Sequence, residues 1–205
     1  MSPRVLPIVA LGDPVLRQVG RELTRAEILA KETQDLIARM RETMRRAPGV
    51  GLAAPQIGLS LKLAVLEDRP ENIEELSDEE RATREREPVP FHVIANPVLE
   101  ATDPTPVRFF EGCLSLSGFV GVVPRAHAVR VRCLDARGEE TGIEVRGWYA
   151  RILQHEIDHL NGIVYVDRME TRTFMSAEDC ARHFGGLPVE VTRGALDAGR
   201  ALPAL

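Results

Sequence analysis

Few cysteines, no excess of basic residues and no long apolar run bound what this 205-residue chain can be. Cys113, Cys133 and Cys180 are too few and too scattered for a disulfide framework, so reduced thiols are expected. A formal net charge of −5 argues against a nucleic-acid-binding surface. No apolar stretch reaches the length that spans a bilayer. The opening residues, Met1 to Pro7, lack a signal-peptide core and the long Arg/Ser-rich arm of a transit peptide. A cytoplasmic bacterial protein is the first expectation, and the mature part of an organelle protein the second. No internal repeat is visible.

What is present begins with a hydrophobic fraction of 44%, enough to bury one sizeable core. Thr24-Arg25-Ala26-Glu27 is a capping box, and Ile28, Leu29, Leu36, Ile37, Met40 and Met44 carry an apolar stripe from it to about Arg46. Gly49 to Gly58 is rich in Gly, Ala and Pro and reads as a functional loop that something approaches closely. Strands are predicted over Leu61–Glu67 and Phe91–Leu99, with an acidic and basic excursion between them, Asp68–Pro90. Ser77 to Glu80 would cap a short solvated helix there, in a segment without chemistry. Short β-like runs follow at Phe119–Val123, Ala128–Leu134 and Gly142–Val145, separated by turn signals at Pro124-Arg125, Asp135–Gly138 and Gly147. A helix over Trp148–Leu160 stops at Asn161-Gly162, and another is capped by Ser176 and Asp179 and runs to Phe184. The expected class is α+β: mostly antiparallel β-sheets packed around a central metal-binding helix, with an N-terminal helix and a short C-terminal helix. Residues 1–184 form one catalytic domain in this reading, and 185–205 a loosely ordered tail.

His155-Glu156-Ile157-Asp158-His159 carries the strongest chemical signal. Residues four apart share a helix face, so His155 and His159 can grip one metal ion, with Glu156 as general base toward water. A catalytic metal needs a third protein ligand and an open position. His92, His127 and His183 lie in surroundings that suit structural or exposed roles. Cys113 is the better candidate, following Gly112 and preceding Leu114, whose N–H can face the same site. Cys133 in a strand and Cys180 on a helix read as small apolar fillers.

Gly49–Gln56, Glu111-Gly112-Cys113-Leu114-Ser115 and Gln154–His159 together resemble the three motifs of the peptide deformylase family, in order and approximate separation. The resemblance covers roughly residues 5 to 184. Gly147–Gln154 and Thr171–Phe174 are similar to the subgroup of plant, mitochondrial and some bacterial members. It implies removal of the N-formyl group from the formyl-methionine of new polypeptides, an N-formylmethionyl nascent chain being the partner. It also implies one divalent metal ion held by Cys113, His155 and His159. Iron(II) comes first, and zinc, nickel or cobalt also suit such ligands. Glu156 then moves the proton, and the Gln56 side-chain amide and Leu114 backbone N–H meet the oxyanion.

The resemblance further implies that Val50 and Gly51 pair with an extended peptide, with Gly112 also among the substrate-binding positions. Val50, Phe109, Trp148 and Ile152 fall near the methionine pocket, Trp148 with a core role equally open. Asp158 lies off the metal-facing stripe and is expected to pair with Arg125, while Glu111 would position the Cys113 loop. One departure is Ser117–Gly121, small and apolar where relatives often carry a polar or basic residue. The basic C-terminal helix linked to ribosome docking in some relatives is not evident after Phe184, so transient ribosome association is expected from the substrate alone. A metallopeptidase would explain the two histidines but not Cys113 or the Gly51–Gln56 loop, and a non-catalytic metal module would not explain Glu156 and Gln56.

Overall fold

Thr24 caps the first helix as its sequence requires. Its hydroxyl accepts from the Glu27 N–H, and the Glu27 carboxylate reaches back to the Thr24 N–H. The computed structural model describes residues 5–47, 49–74 and 76–198. The helix expected to run on to Arg46 breaks at Ala30, whose extended backbone (φ −61°, ψ 142°) divides α1 (Arg25–Leu29) from α2 (Lys31–Arg46). At about 100° per residue, an unbroken helix would turn Ile28 about 150° away from Ile37, Met40 and Met44. The break lets all four enter the same core.

Strand β1 (Gly51–Ala53) follows and leads into a 3₁₀ turn, Ala54–Ile57, then β2 (Leu63–Asp68). Ser77 caps α3 (Asp78–Arg84) through the expected capping box. Two long strands come next, β3 (Val89–Cys113) and β4 (Leu116–Leu134), then β5 (Glu140–Arg146). The chain goes on through α4 (Gly147–Leu160), β6 (Met175–Ser176), α5 (Ala177–Phe184) and α6 (Val189–Ala198). The strands form one antiparallel sheet in the order β1-β2-β3-β4-β5, with β6 added to β4. The architecture is α+β.

Strand alternation sorts the core. Ala64 and Leu66 of β2 face one side of the sheet, where Ile94, Val129 and Val131 meet Leu153, Ile157 and Leu160 of α4. Leu63 and Val65 face the other side, against Met40 and Met44 of α2. The sheet is thus covered by one helix on each face. A third cluster, around Leu16, Val123 and Tyr165, backs the end of the β3–β4 hairpin near Cys113.

Two expectations are corrected. Pro124-Arg125 is not a turn but part of continuous β4, where Pro124 pairs with Arg108. The Ala126 N–H points away from β3 to the Gln154 side chain. Pro124, two residues earlier, has its missing N–H on that same side, so no ladder bond is lost. The expected loose tail instead contains α6, whose Thr192 is fully buried and whose Arg193 pairs with Glu170. Tail residues 199–205, like Met1 to Arg4, lie outside the described residues.

Candidate active site

Three elements bring the site together. Cys113 ends β3 at a tight turn, Leu114-Ser115, before β4 begins. The 3₁₀ turn after β1 presents Gln56, and α4 presents His155, Glu156 and His159 from successive turns. One ligand atom each from Cys113, His155 and His159 lie within 4.8 Å of one another. Cys113 Sγ is 3.3 Å from His159 Nε2 and 3.5 Å from Gln56 Nε2. Gln56 Oε1 accepts from the Ala53 N–H at 2.8 Å, which orients the amide so that its donor end faces the sulfur.

The electrostatics of the three donors suit a cation. Burial disfavours a charged His155, but the hydrogen bonds its ring makes to Cys113 and Glu111 outweigh it and push its pKa up to about 10. The surroundings therefore draw positive charge to this point. Burial and the neighbouring His155 hold His159 neutral, with a lone pair to give. Its Nδ1 is buried without a hydrogen-bond partner among the described residues. A sulfur and two imidazoles form the donor set of a transition-metal site.

Glu111 fixes the ring of His155, accepting at Oε2 from Nδ1 at 2.9 Å. That leaves Nε2 for a metal. Glu111 is buried, yet Arg125 and His155 hold its carboxyl well below the usual carboxylate range despite burial. Arg125 grips it through two bonds of 2.9 Å and also reaches Asp158, which Arg168 chelates at 2.7 and 2.8 Å. The expected Asp158–Arg125 pair is present and buried. Arg151 adds a bond to Glu111 and two to the backbone carbonyls of Val107 and Val123. Every charge in this chain of residues is matched, as burial demands.

Glu156 is different. It is 4% exposed, its Oε2 has no hydrogen-bond partner among the described residues, and burial pushes its pKa up to about 7. A Cβ built on Gly51 would lie 2.2 Å from Glu156 Oε1. Only glycine leaves room for that carboxylate, which accounts physically for one residue of the loop.

These groups border a cavity of about 400 Å³ that includes Val50, Gly51, Gln56, Gly112, Cys113, Leu114, Trp148, Ile152, His155 and Glu156. Phe109 corrects the reading of the pocket: Phe110 lines the cavity, while Phe109 packs edge-on against Trp148 at 5.9 Å. His159 lies behind the lining, 1% exposed. Phe119, which lines the cavity from the small, apolar Ser117–Gly121 stretch, stacks on Phe174 at 5.3 Å. Sequence reasoning missed Arg151, although it sits one helical turn before His155 on the same face. It also missed Arg86, which lines the cavity from the excursion expected to carry no chemistry. No sequence signal marks Arg86, because its partner Trp148 is distant along the chain. His127 has the structural role expected of it, bridging Glu85 and Asp103.

The polypeptide deformylase family model matches residues 5–175. Peptide deformylase 1A, chloroplastic, of Solanum lycopersicum is 46% identical over 172 residues, 84% of this chain and 62% of the relative. The chain thus spans less than two thirds of that relative's length. Peptide deformylase 3 of Streptomyces avermitilis is 45% identical over 198 residues, 97% of this chain and 85% of the relative. Among solved structures, the Met-Ala-Ser-bound class I type b peptide deformylase from Acinetobacter baumannii superposes with a TM-score of 0.72 at 31% identity. That match covers 82% of this chain and all (100%) of that one.

Proposed function

The chain belongs to the polypeptide deformylase family, and on that premise we propose that it hydrolyses the N-formyl group of formyl-methionine on new polypeptides, releasing formate. The observation that carries the reading is the meeting of Cys113, His155 and His159 beside the unpartnered carboxylate of Glu156.

Cys113 Sγ, His155 Nε2 and His159 Nε2 hold one divalent ion, iron(II) first, with zinc, nickel or cobalt accepted by the same donors. When bound, that ion supplies the Lewis acidity that makes water nucleophilic near neutral pH. Glu156 takes a proton from the attacking water as its oxygen bonds to the formyl carbon. The Gln56 amide and the Leu114 N–H donate to the oxygen on which negative charge develops. Glu156 returns the proton to the amide nitrogen, the C–N bond breaks, and formate and a free amine leave. Val50, Gly51 and Gly112 offer backbone to the extended peptide, while Val50, Trp148 and Ile152 wall the methionine side chain. Glu111, Arg125 and Asp158 position His155 and carry no proton to substrate.

The nascent chain is the macromolecular partner, met by transient association near the ribosome. No described helix is long and apolar enough to cross a membrane. We place the protein where translation starts on formyl-methionine, the bacterial cytoplasm first and an organelle second. Residues 1–184 form the catalytic domain, with α6 beyond it pairing through Arg193 with Glu170.

Formate release from formyl-Met-Ala-Ser, assayed anaerobically with iron(II) restored, tests the reading. Activity on the formylated peptide and none on Met-Ala-Ser is expected. Cleavage of the peptide backbone without formate would replace it with a peptidase.

A further inference from the structure

The chain ahead of α1 takes no part in the chemistry above, yet its backbone is bonded to all three elements of the site. The Val9 N–H donates to the Gln56 carbonyl at 2.9 Å, and the Leu11 N–H donates to the Ser115 carbonyl at 2.6 Å. Farther on, the Gly20 N–H donates at 2.9 Å to the carbonyl of Leu160, the last residue of α4. Gln56 and Leu160 lie in the last turns of their helices, where carbonyls lack partners within the helix. Ser115 sits in the turn between β3 and β4. The stretch is firmly seated along its length. Leu16 is fully buried, in a cluster against which Val9, Leu11 and Cys113 all pack. A Cβ on Gly20 would lie 2.7 Å from the Leu61 backbone, so only glycine lets the chain run this close to its neighbour.

Resting on the deformylase reading, we propose that Val9 to Leu11 is a spacer that sets the interval between the two oxyanion donors, the Gln56 amide and the Leu114 N–H. The sheet does not set that interval directly, because β2 lies between the strands that lead to the two turns. The spacer does. Its two docking amides are two residues apart, and two residues of chain span at most about 7 Å. Each turn passes its position on to a donor. The Gln56 side chain is locked to its own turn, since Oε1 accepts from the Ala53 N–H. Leu114 precedes Ser115 in a two-residue turn whose flanks, Cys113 and Leu116, pair with each other. A shift of either turn therefore moves one donor relative to the other. Both must meet one oxygen as its charge develops, so the interval bears on the transition state more than on substrate binding.

Two backbone esters test this in the holoenzyme, each introduced by stop-codon suppression with the matching α-hydroxy acid. An ester at Val9 or at Leu11 replaces one N–H by oxygen and leaves the side chain in place. A misplacement of about 1 Å costs about 100-fold, so the smaller shift here should lower kcat about tenfold on formyl-Met-Ala-Ser. KM should move less than about twofold, because the loss falls on the transition state. The esters are then combined with Gln56→Leu. There the Val9 ester has no donor left to place and should cost less than about twofold, whereas the Leu11 ester should keep its full effect through Leu114. A merely structural bond would cost the same in both backgrounds. Wild type supplies a check that needs no variant: the Val9 and Leu11 amides should exchange their hydrogens as slowly as the ladder amides of β3. Free exchange at either amide, an unchanged kcat in either ester, or a Val9 loss as large in Gln56→Leu as in wild type would overturn the spacer and leave deformylation standing. If wild type releases no formate, the deformylase reading fails and takes this one with it.

Discussion

Glu156 Oε1 occupies the space in which a side chain on residue 51 would begin, 2.2 Å from an ideal Cβ there. Gly51 and Glu156 are thus fitted to each other across the gap between β1 and α4. Gly51→Ala should displace the carboxylate without touching Cys113, His155 or His159. We expect kcat to fall about 100-fold, the loss that a misplacement of about 1 Å brings, with metal content unchanged by elemental analysis. Normal turnover in the folded variant would remove Glu156 from the role of base.

Gln56→Leu removes the amide donor at nearly constant volume. A lost oxyanion donor costs about 10²- to 10³-fold in kcat, and KM should move much less. Because Gln56 Oε1 also receives the Ala53 N–H, a melting curve should accompany the kinetics to separate the two losses.

Glu111→Gln tests how much of the metal site depends on its support. The neutral amide leaves Arg125 and Arg151 facing one buried carboxylate too few. Breaking a buried ion pair from one side costs about 3–5 kcal/mol, and loss of the acceptor behind a ligating histidine weakens metal binding about 10- to 100-fold. Chemical denaturation and competition with a chelator measure the two effects.

His127 supplies the pH dependence away from the active site. It lies between Glu85 and Asp103, with Arg146 also on Glu85, and the Glu85 and Asp103 hydrogen bonds raise its pKa. A histidine with a raised folded pKa stabilises fully below its unfolded value, about 6.5, and the gain fades as pH rises through the folded one. Asp103, held down to about 2, stays ionised throughout that window. The Tm difference between wild type and His127→Gln should therefore be largest near pH 6 and shrink toward pH 9. A constant difference would show that folding leaves the proton affinity of His127 unchanged.

The parts legible in sequence were those whose causes are local. The Thr24 and Ser77 caps, the helix over Trp148–Leu160 and the pairing of residues four apart all depend on neighbours within a turn. The Asp158–Arg125 pair was readable because Asp158 lies off the metal-facing stripe of a buried helix, where a carboxylate needs a cation. Phe109 and Phe110 were not separable, since bulges between Ala101 and Pro106 shift the parity that assigns faces. Pro124 misled because its harmlessness depends on which flank of β4 is unpaired, a property of the sheet. The break at Ala30 is tertiary in origin, since the capped sequence alone favours one helix.

On the proposed reading, helix α4 holds both a pocket wall, Trp148 and Ile152, and two of the three metal ligands, His155 and His159, and this makes it a ruler. Trp148 and His155 are seven residues apart, about 10.5 Å along a rigid axis. The distance from a side chain's tip to the carbon under attack is thus gauged by one helix, not by a closing loop. A formylated peptide whose first residue carries one extra backbone methylene should fill the pocket yet hold its formyl carbon off the mark, and so bind as an inhibitor. Inserting a single alanine between Ala150 and Arg151 should be worse still, turning Trp148 about 100° from the ligands it is meant to measure against.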